Sequence, residues 1–269
     1  MIRRAVLLVL GLVWLGPTYL LVVNAFRPAN SYDASRAWAP SGDIAIFQNF
    51  ALAIERADLG GSLASTLLYS VVSPALAVLI GALAGYTIVV LRLRGGFWWF
   101  MLIFGGTIFP TQMLLVPLFV TYSDAGLYDS RPGMILVYTA VSVPLAAFVL
   151  RNFFTGVAFS IFEAARMDGA STLRIFVRIY LPLAGSALAA VFILEFTFIW
   201  NDLLFGLALT QTSGVRPVMT QLAGLMTDVY AGTPVPVGLA AGLVVSLPTV
   251  ALFLATQRLF ARGLSLGSV

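Results

Sequence analysis

The sequence contains no cysteine, no histidine and no lysine. Without cysteine there are no disulfides and no thiol nucleophiles. Without cysteine and histidine, zinc sites of the usual ligand types and imidazole acid–base catalysis lack their donors. Charge is also scarce. Only 10% of the 269 residues are charged and 60% are hydrophobic, against about 25% and about 45–50% in a soluble domain. So few charges cannot cover a water-exposed surface of this size, so the mean hydropathy of +0.99 describes a chain whose solvent is mostly lipid. At about 20 residues per crossing, the length accommodates five to seven membrane helices and little else.

What charge there is carries positional information. All 15 basic residues are arginines, scattered singly or in pairs between apolar runs, and the net charge is +4. That distribution suits membrane topology better than a nucleic-acid patch. The first apolar run, Ala5 to Phe26, reaches about 33 Å as a helix. It exceeds the 7–15 apolar residues of a secretory signal, so a retained span is expected, although Val23-Asn24-Ala25 loosely resembles a cleavage site. Five more runs follow at about Ser62–Leu91, Phe97–Val120, Gly133–Leu150, Leu183–Leu209 and Val237–Ala255. Six spans are therefore expected in one transmembrane domain over 1–269, an all-α integral membrane protein. Polar stretches 27–60 and 210–236 are read as extracytoplasmic loops and 151–182 as a cytoplasmic one.

Arginine bias orients this arrangement. With both termini in the cytoplasm, Arg3, Arg4, Arg92, Arg94, Arg151, Arg166, Arg174, Arg178, Arg258 and Arg262 lie inside, as positive-inside topology requires. The opposite side holds Arg27, Arg36, Arg56, Arg131 and Arg216, diluted by Asp33, Asp43, Glu55, Asp58, Asp124, Asp129 and Asp228. Prolines at 17, 74, 110, 117, 144 and 248 predict kinks, and Gly81 with Gly85 forms a small-x3-small pair suited to close helix contact.

The segment Arg151 to Pro182 is much longer than a connection between neighbouring helices needs to be. Ser160-Ile161-Phe162-Glu163 reads as a capping box, and Gly169 sits where a left-handed residue would end the helix. The helix is too short to be stable alone in water, and its apolar Ile161, Phe162 and Met167 call for a partner surface. Ser171 or Thr172 can cap a second helix, Leu173 to Leu181, which carries Arg174 and Arg178 to the interface before Pro182.

Glu163-Ala164-Ala165, three residues, Gly169, nine residues, Ile179, one residue, then Leu181-Pro182 resembles the EAA loop of bacterial binding-protein-dependent ABC importer permeases. The resemblance extends over nearly the whole chain and is closest to the maltose-type carbohydrate branch. It is supported by Arg92-Leu93-Arg94-Gly95, Pro117-Leu118, Gly126-Leu127, Pro144, Ala164 to Ser171, Trp200-Asn201-Asp202 and Gly263-Leu264. Two stretches depart from the pattern: Val157 to Phe162 lacks the usual proline and acids, and Ser65-Thr66-Leu67 replaces Asn-Ser-Leu.

The resemblance implies a type I importer permease fold in a bacterial cytoplasmic (inner) membrane. It also implies a second homologous permease, two ATPase subunits and an extracytoplasmic solute-binding protein as partners. Glu163, Ala164, Ala165, Asp168 and Gly169 would couple this chain to the ATPase. The chain has no phosphate-binding Gly-x4-Gly-Lys-Ser/Thr loop. It is therefore expected to be no enzyme and to hold no cofactor, with ATP and Mg on the partner ATPase. The 210–236 loop would meet the binding protein.

Four polar or aromatic residues of the fifth run are substrate-pathway candidates. Glu195 is an ionisable group in mid-span, which must face a cavity or an interhelical partner. Trp200, Asn201 and Asp202 combine an indole face with hydroxyl-binding groups, suited to a sugar, or else form a packed interfacial group. The reading is a carbohydrate importer subunit. The alternatives are a glycerol-phosphate importer subunit or a secondary transporter with Glu195 as proton carrier, an integral-membrane enzyme being weaker still.

Overall fold

The computed structural model describes residues 2–108, 110–227 and 232–265. Asp228 lies outside the described residues, as do the side chains of Arg3, Arg258, Arg262 and Leu264. The described residues are helical over most of the apolar runs. Its elements are α1 (Ile2–Ala25), α2 (Ile46–Ala57), α3 (Leu59–Val89), α4 (Gly96–Gly105), α5 (Thr111–Asp124), α6 (Arg131–Thr155), α7 (Phe159–Met167) and α8 (Thr172–Ile175). A π-helical stretch, Phe176–Tyr180, leads into α9 (Leu181–Leu183), followed by α10 (Gly185–Trp200), α11 (Leu204–Leu209), α12 (Val218–Thr227) and α13 (Val235–Ser265).

Helices α3 and α6 form the centre. They pair over most of their length because α3 presents small residues to α6. A Cβ added to Gly81 would lie 2.7 Å from the backbone carbonyl carbon of Ala146, and one on Gly85 would lie 2.8 Å from the amide nitrogen of Arg151. Side chains are thus excluded at both positions, and dispersion between closely approaching backbones holds the pair in a solvent that supplies no hydrophobic force. The small-x3-small pair does what its spacing suggested. Around this centre, α10 packs on α3 and α6, α4 on α6, and α1 and α2 on α13.

Six spans were expected, with prolines predicting kinks, and the described residues show which of those runs are continuous helices. Four described helices are long and apolar enough to cross a membrane: Arg4–Ala25, Leu59–Val89, Arg131–Thr155 and Val235–Gln257. The third run, Phe97–Val120, is broken into α4 and α5. Gly105 and Gly106 favour neither helix nor side-chain packing, and Pro110 provides no N–H at the N-cap of α5. At its start the fifth run, Leu183–Leu209, meets the preceding helical segment in a 74° bend between Thr172–Leu183 and Gly185–Trp200. Its helix does not continue to Leu209 either, since α10 stops at Asn201 before the separate α11.

The π-helical stretch explains how Pro182 is accommodated. Leu181 donates to the Phe176 carbonyl five residues back, widening the turn where the proline ring would meet the carbonyl four residues earlier. The stretch 27–60 likewise contains more than loop. Helix α2 buries Ile46, Asn49, Ala53 and Ala57, positions that fall on one face at 3.6 residues per turn. Asp58, left-handed at φ 43°, turns the chain directly into α3.

Candidate functional site

Helix α6 is closed by Gly156, whose N–H donates to the Phe153 and Phe154 carbonyls, and α7 starts three residues later. Its N-cap is Ala158, which has no capping side chain, and the Ile161 N–H reaches the Ala158 carbonyl at 3.2 Å. Ser160 therefore lies inside the first turn, and the expected Ser160–Glu163 capping box does not form. The far end follows expectation. Gly169 has φ +78°, its N–H meets the Arg166 carbonyl at 3.0 Å and the Ala170 N–H meets the Ala165 carbonyl at 3.1 Å. These two bonds make a Schellman ending, which a side chain on residue 169 would strain. Ser171 then caps the next helix, its hydroxyl accepting from the Arg174 N–H.

Helix α7 has two faces. Phe159, Phe162 and Ala165 turn inward, Ala165 being buried and Phe162 half-buried against the aromatic cluster behind it. Glu163, Ala164, Met167, Asp168 and Gly169 are exposed, with Met167 at 88%. The outer face thus joins one exposed apolar side chain, a flat alanine surface and two carboxylates.

The inner face is tied to the central pair. Tyr86 of α3 donates its hydroxyl to the Thr172 carbonyl at 3.1 Å. Its ring packs on Phe176 and Tyr180 at centroid distances of 5.0 and 5.1 Å, and Phe154 of α6 joins the same cluster. The guanidinium of Arg92, just past α3, stacks 3.9 Å over the Phe159 ring, a cation–π contact. Packed rings thus join α7 to α3 and α6.

Each of the polar candidates of the expected fifth span holds at least one hydrogen bond within the chain. Glu195 is buried on α10, and its Oε2 accepts a 2.6 Å hydrogen bond from the Ser142 hydroxyl of α6. One helical turn from Ser142, Tyr138 donates to Asp202 Oδ2 at 2.9 Å, and the same carboxylate receives the N–H groups of Phe205 and Gly206 at the start of α11. Trp200 is only 2% exposed. It stacks on Phe196 and donates its indole N–H to the Val245 carbonyl of α13 at 3.0 Å. Asn201 alone is open: its amide donates to the Thr197 carbonyl, and it borders an apolar groove of about 570 Å³ between α10 and α13. The four candidates therefore do not converge on one face. Trp200 and Asp202 knit α10 to α13, α6 and α11, whereas Glu195 sits between α6 and α10.

A second groove, of about 320 Å³, opens at the break between α4 and α5. Gly106, Thr107, Thr111, Leu118, Tyr122 and Val141 are among its walls. A Cβ on Gly106 would lie 3.3 Å from Pro144 Cγ, so the break is level with Ser142 and hence with Glu195. Non-helical backbone at that depth needs protein or water around it, because lipid cannot satisfy its polar groups.

At the end of the bundle opposite α7, hydroxyls along α3 grip the connection from α11 to α12. Ser65 donates to the Gly214 carbonyl at 2.7 Å and Tyr69 to the Val215 carbonyl at 2.8 Å, while Thr66 accepts from the Val218 N–H at 2.7 Å. Arg131 adds a bond to Gly214 at 3.1 Å. Asp129 completes the clasp by accepting from the N–H groups of Gln211 and Thr212 at 2.8 and 3.0 Å. Partial burial raises the affinity of this carboxyl for its proton, yet the two amide bonds prevail and hold it below the usual carboxylate range.

Residues 77–266 match the family model described as the binding-protein-dependent transport system inner membrane component. The chain belongs to this family. Among its relatives, the melibiose/raffinose/stachyose import permease protein MelC of Bacillus subtilis is 33% identical over 94% of this chain and 90% of that protein. The trehalose transport system permease protein SugB of Mycobacterium tuberculosis is 33% identical over 80% of this chain and 79% of its own length. A solved chain from a bacterial ABC transporter involved in the import of the acidic polysaccharide alginate superposes with a TM-score of 0.80. It covers 96% of this chain and 95% of that one, at 24% identity, and so has the same fold. Such family members are multi-pass proteins of the inner membrane, and this chain is one.

The α3 hydroxyl clasp and the α4–α5 groove were not anticipated. Serines and threonines at 62, 65 and 66 with Tyr69 do lie on adjoining helical positions. Their partners, however, are backbone carbonyls and, for Thr66, the Val218 N–H, about 150 residues away, which no local pattern reveals.

Proposed function

We propose that this chain is one of a pair of membrane-spanning subunits in an ATP-driven importer of a carbohydrate, crossing the inner membrane six times with both termini in the cytoplasm. The relatives named for sugar import support the solute class, and arginine bias supports the orientation. The broken α4–α5 run supplies the third crossing and the bent run ending in α10 the fifth.

The observation carrying the reading is the exposed face of α7, held by a Schellman turn at Gly169 and tied to α3 and α6 by Tyr86, Phe176, Tyr180 and Phe154. Glu163, Ala164, Ala165, Asp168 and Gly169 act as the coupling segment: Glu163, Ala164 and Asp168 meet the ATPase, and Ala165 with Gly169 aims the helix. Closure of the two ATPase subunits on ATP and Mg displaces α7. Because α3 and α6 are in near backbone contact at Gly81 and Gly85, they move together rather than slide. The solute path opens beside them, with Glu195, Asn201, Thr107 and Thr111 as its polar residues, while Trp200 and Asp202 hold the scaffold. An extracytoplasmic binding protein delivers the solute to the end carrying the 210–236 segment.

Reconstitution with a companion permease, the ATPase and the binding protein into vesicles tests this. ATP-dependent uptake of a sugar is expected. Uptake of glycerol phosphate instead would select the alternative importer, and uptake driven by a proton gradient without ATP would refute the reading.

A further inference from the structure

The stretch between α1 and α3 holds an apolar surface that nothing among the described residues covers. On α2, Ile46, Asn49, Ala53 and Ala57 face the bundle, and Gln48 and Glu55 are exposed on the opposite side. A third face, about a third of a turn from the buried one at roughly 100° per residue, carries Phe47, Ala51 and Ile54, all exposed, with Phe47 at 83%. A helix with one protein face, one polar face and one bare apolar face fits the boundary between water and acyl chains.

Its depth points the same way. Trp38 folds back on α1, lying 3.9 Å from where a Cβ on Gly16 would be, stacking on Tyr19 and accepting the Tyr19 hydroxyl through its carbonyl at 2.9 Å. Gly16 is nine residues before the end of α1, about 13 Å along the axis at 1.5 Å per residue. Asn24 donates to the Ala37 carbonyl, and Arg27 to the carbonyls of Arg36 and Ala39, pinning this strap. Ile44 borders a groove with Val22, Val23 and Phe26, and Ile46 shares a cluster with Ala25 and Ala240. The exposed side chains Trp38, Ile44 and Phe47 thus continue the exposed apolar surface of a membrane-crossing helix.

We propose that residues 36–57 form a collar embedded in the bilayer interface at the end opposite α7, with lipid as the occupant of the Phe47–Ala51–Ile54 face. Tryptophan and tyrosine stacked at that level form the aromatic anchor that interfaces favour. The collar holds the outer end of α1 against α13.

The absence of cysteine in this chain makes the test direct. Spin labels on Phe47→Cys, Ile54→Cys and Gln48→Cys are read in the assembled complex, in vesicles of phosphatidylcholine and phosphatidylglycerol. The unsubstituted chain in the same complex supplies the companions' background. Collision with oxygen relative to a water-soluble nickel chelate should be several-fold higher at 47 and 54 than at 48. Equal ratios at the three sites would place the face in water, and immobile labels shielded from both probes at 47 and 54 would place it under a protein. Either result overturns the proposal, whichever solute the complex carries.

Discussion

Gly169 shows how one residue sets the geometry of the candidate coupling loop. Its φ of +78° is open to glycine and costs other residues about 1–2 kcal/mol. No atom stands within 4 Å of an added Cβ, so Gly169→Ala should leave the bundle folded and re-aim α7. Solute-stimulated ATP hydrolysis should fall severalfold while thermal stability drops by at most about 2 kcal/mol. Glu195 separates two mechanisms. Glu195→Gln keeps an acceptor for Ser142 and should retain ATP-driven uptake. Glu195→Ala leaves the serine hydroxyl unpaired in a buried site, at about 1–3 kcal/mol, and should impair assembly. Loss of uptake in the glutamine variant, measured beside the wild type, would indicate that the proton itself is needed. Asp129 carries a pH effect. Its folded pKa lies below the unfolded value of about 3.9. Its stabilisation is therefore complete above that value and is lost as the pH falls through the lower folded one. Asp129→Asn should remove the acid-side loss and flatten the stability profile below about pH 4, as thermal melts would record.

Among the elements, those written in a single periodicity were legible. The apolar runs at 62–91 and 133–150 became α3 and α6 with ends shifted by a few residues, and Gly81, Gly85, Gly169 and Ser171 do what their spacing indicated. The breaks were not legible, because a run of apolar residues reads alike whether its helix is continuous or interrupted. Gly105-Gly106 with Pro110, and Ala184-Gly185, are local signals that hydropathy averages away. Helix α2 was hidden for another reason: the charges at 43, 55, 56 and 58 mask two apolar faces that alternate at helical spacing. The capping box failed because Phe159 packs inward and starts α7 one residue before Ser160. Trp200 and Asp202 read either as a sugar-binding pair or as a packed interfacial group, and the partners that pack them, Val245 and Tyr138, are distant in sequence. The tight α3–α6 contact yields an element-scale prediction. Gly85→Leu places a side chain where the Arg151 backbone lies, which should cost at least about 1–3 kcal/mol and separate the helices. Lowered yield and melting temperature in detergent would report it, with Gly60→Leu, where an added Cβ meets nothing, as the neutral control.

For the whole molecule, the two ends of the central pair have different attachments. One end carries α7 on a cluster of aromatic rings. The other grips the 213–218 connection through serine, threonine and tyrosine hydroxyls that accept no sideways slip without breaking. A rigid pair fixed at both ends can transmit displacement across the membrane, which is what an importer subunit powered from one side requires. That claim is tested most directly by purifying the tagged chain from its native membrane in mild detergent and identifying its companions by mass spectrometry, for wild type and Gly169→Pro. The account predicts a phosphate-loop ATPase and a second permease with the wild type, and loss of the ATPase from a variant that still elutes as a folded species. A wild-type chain that purifies alone and still transports would contradict it.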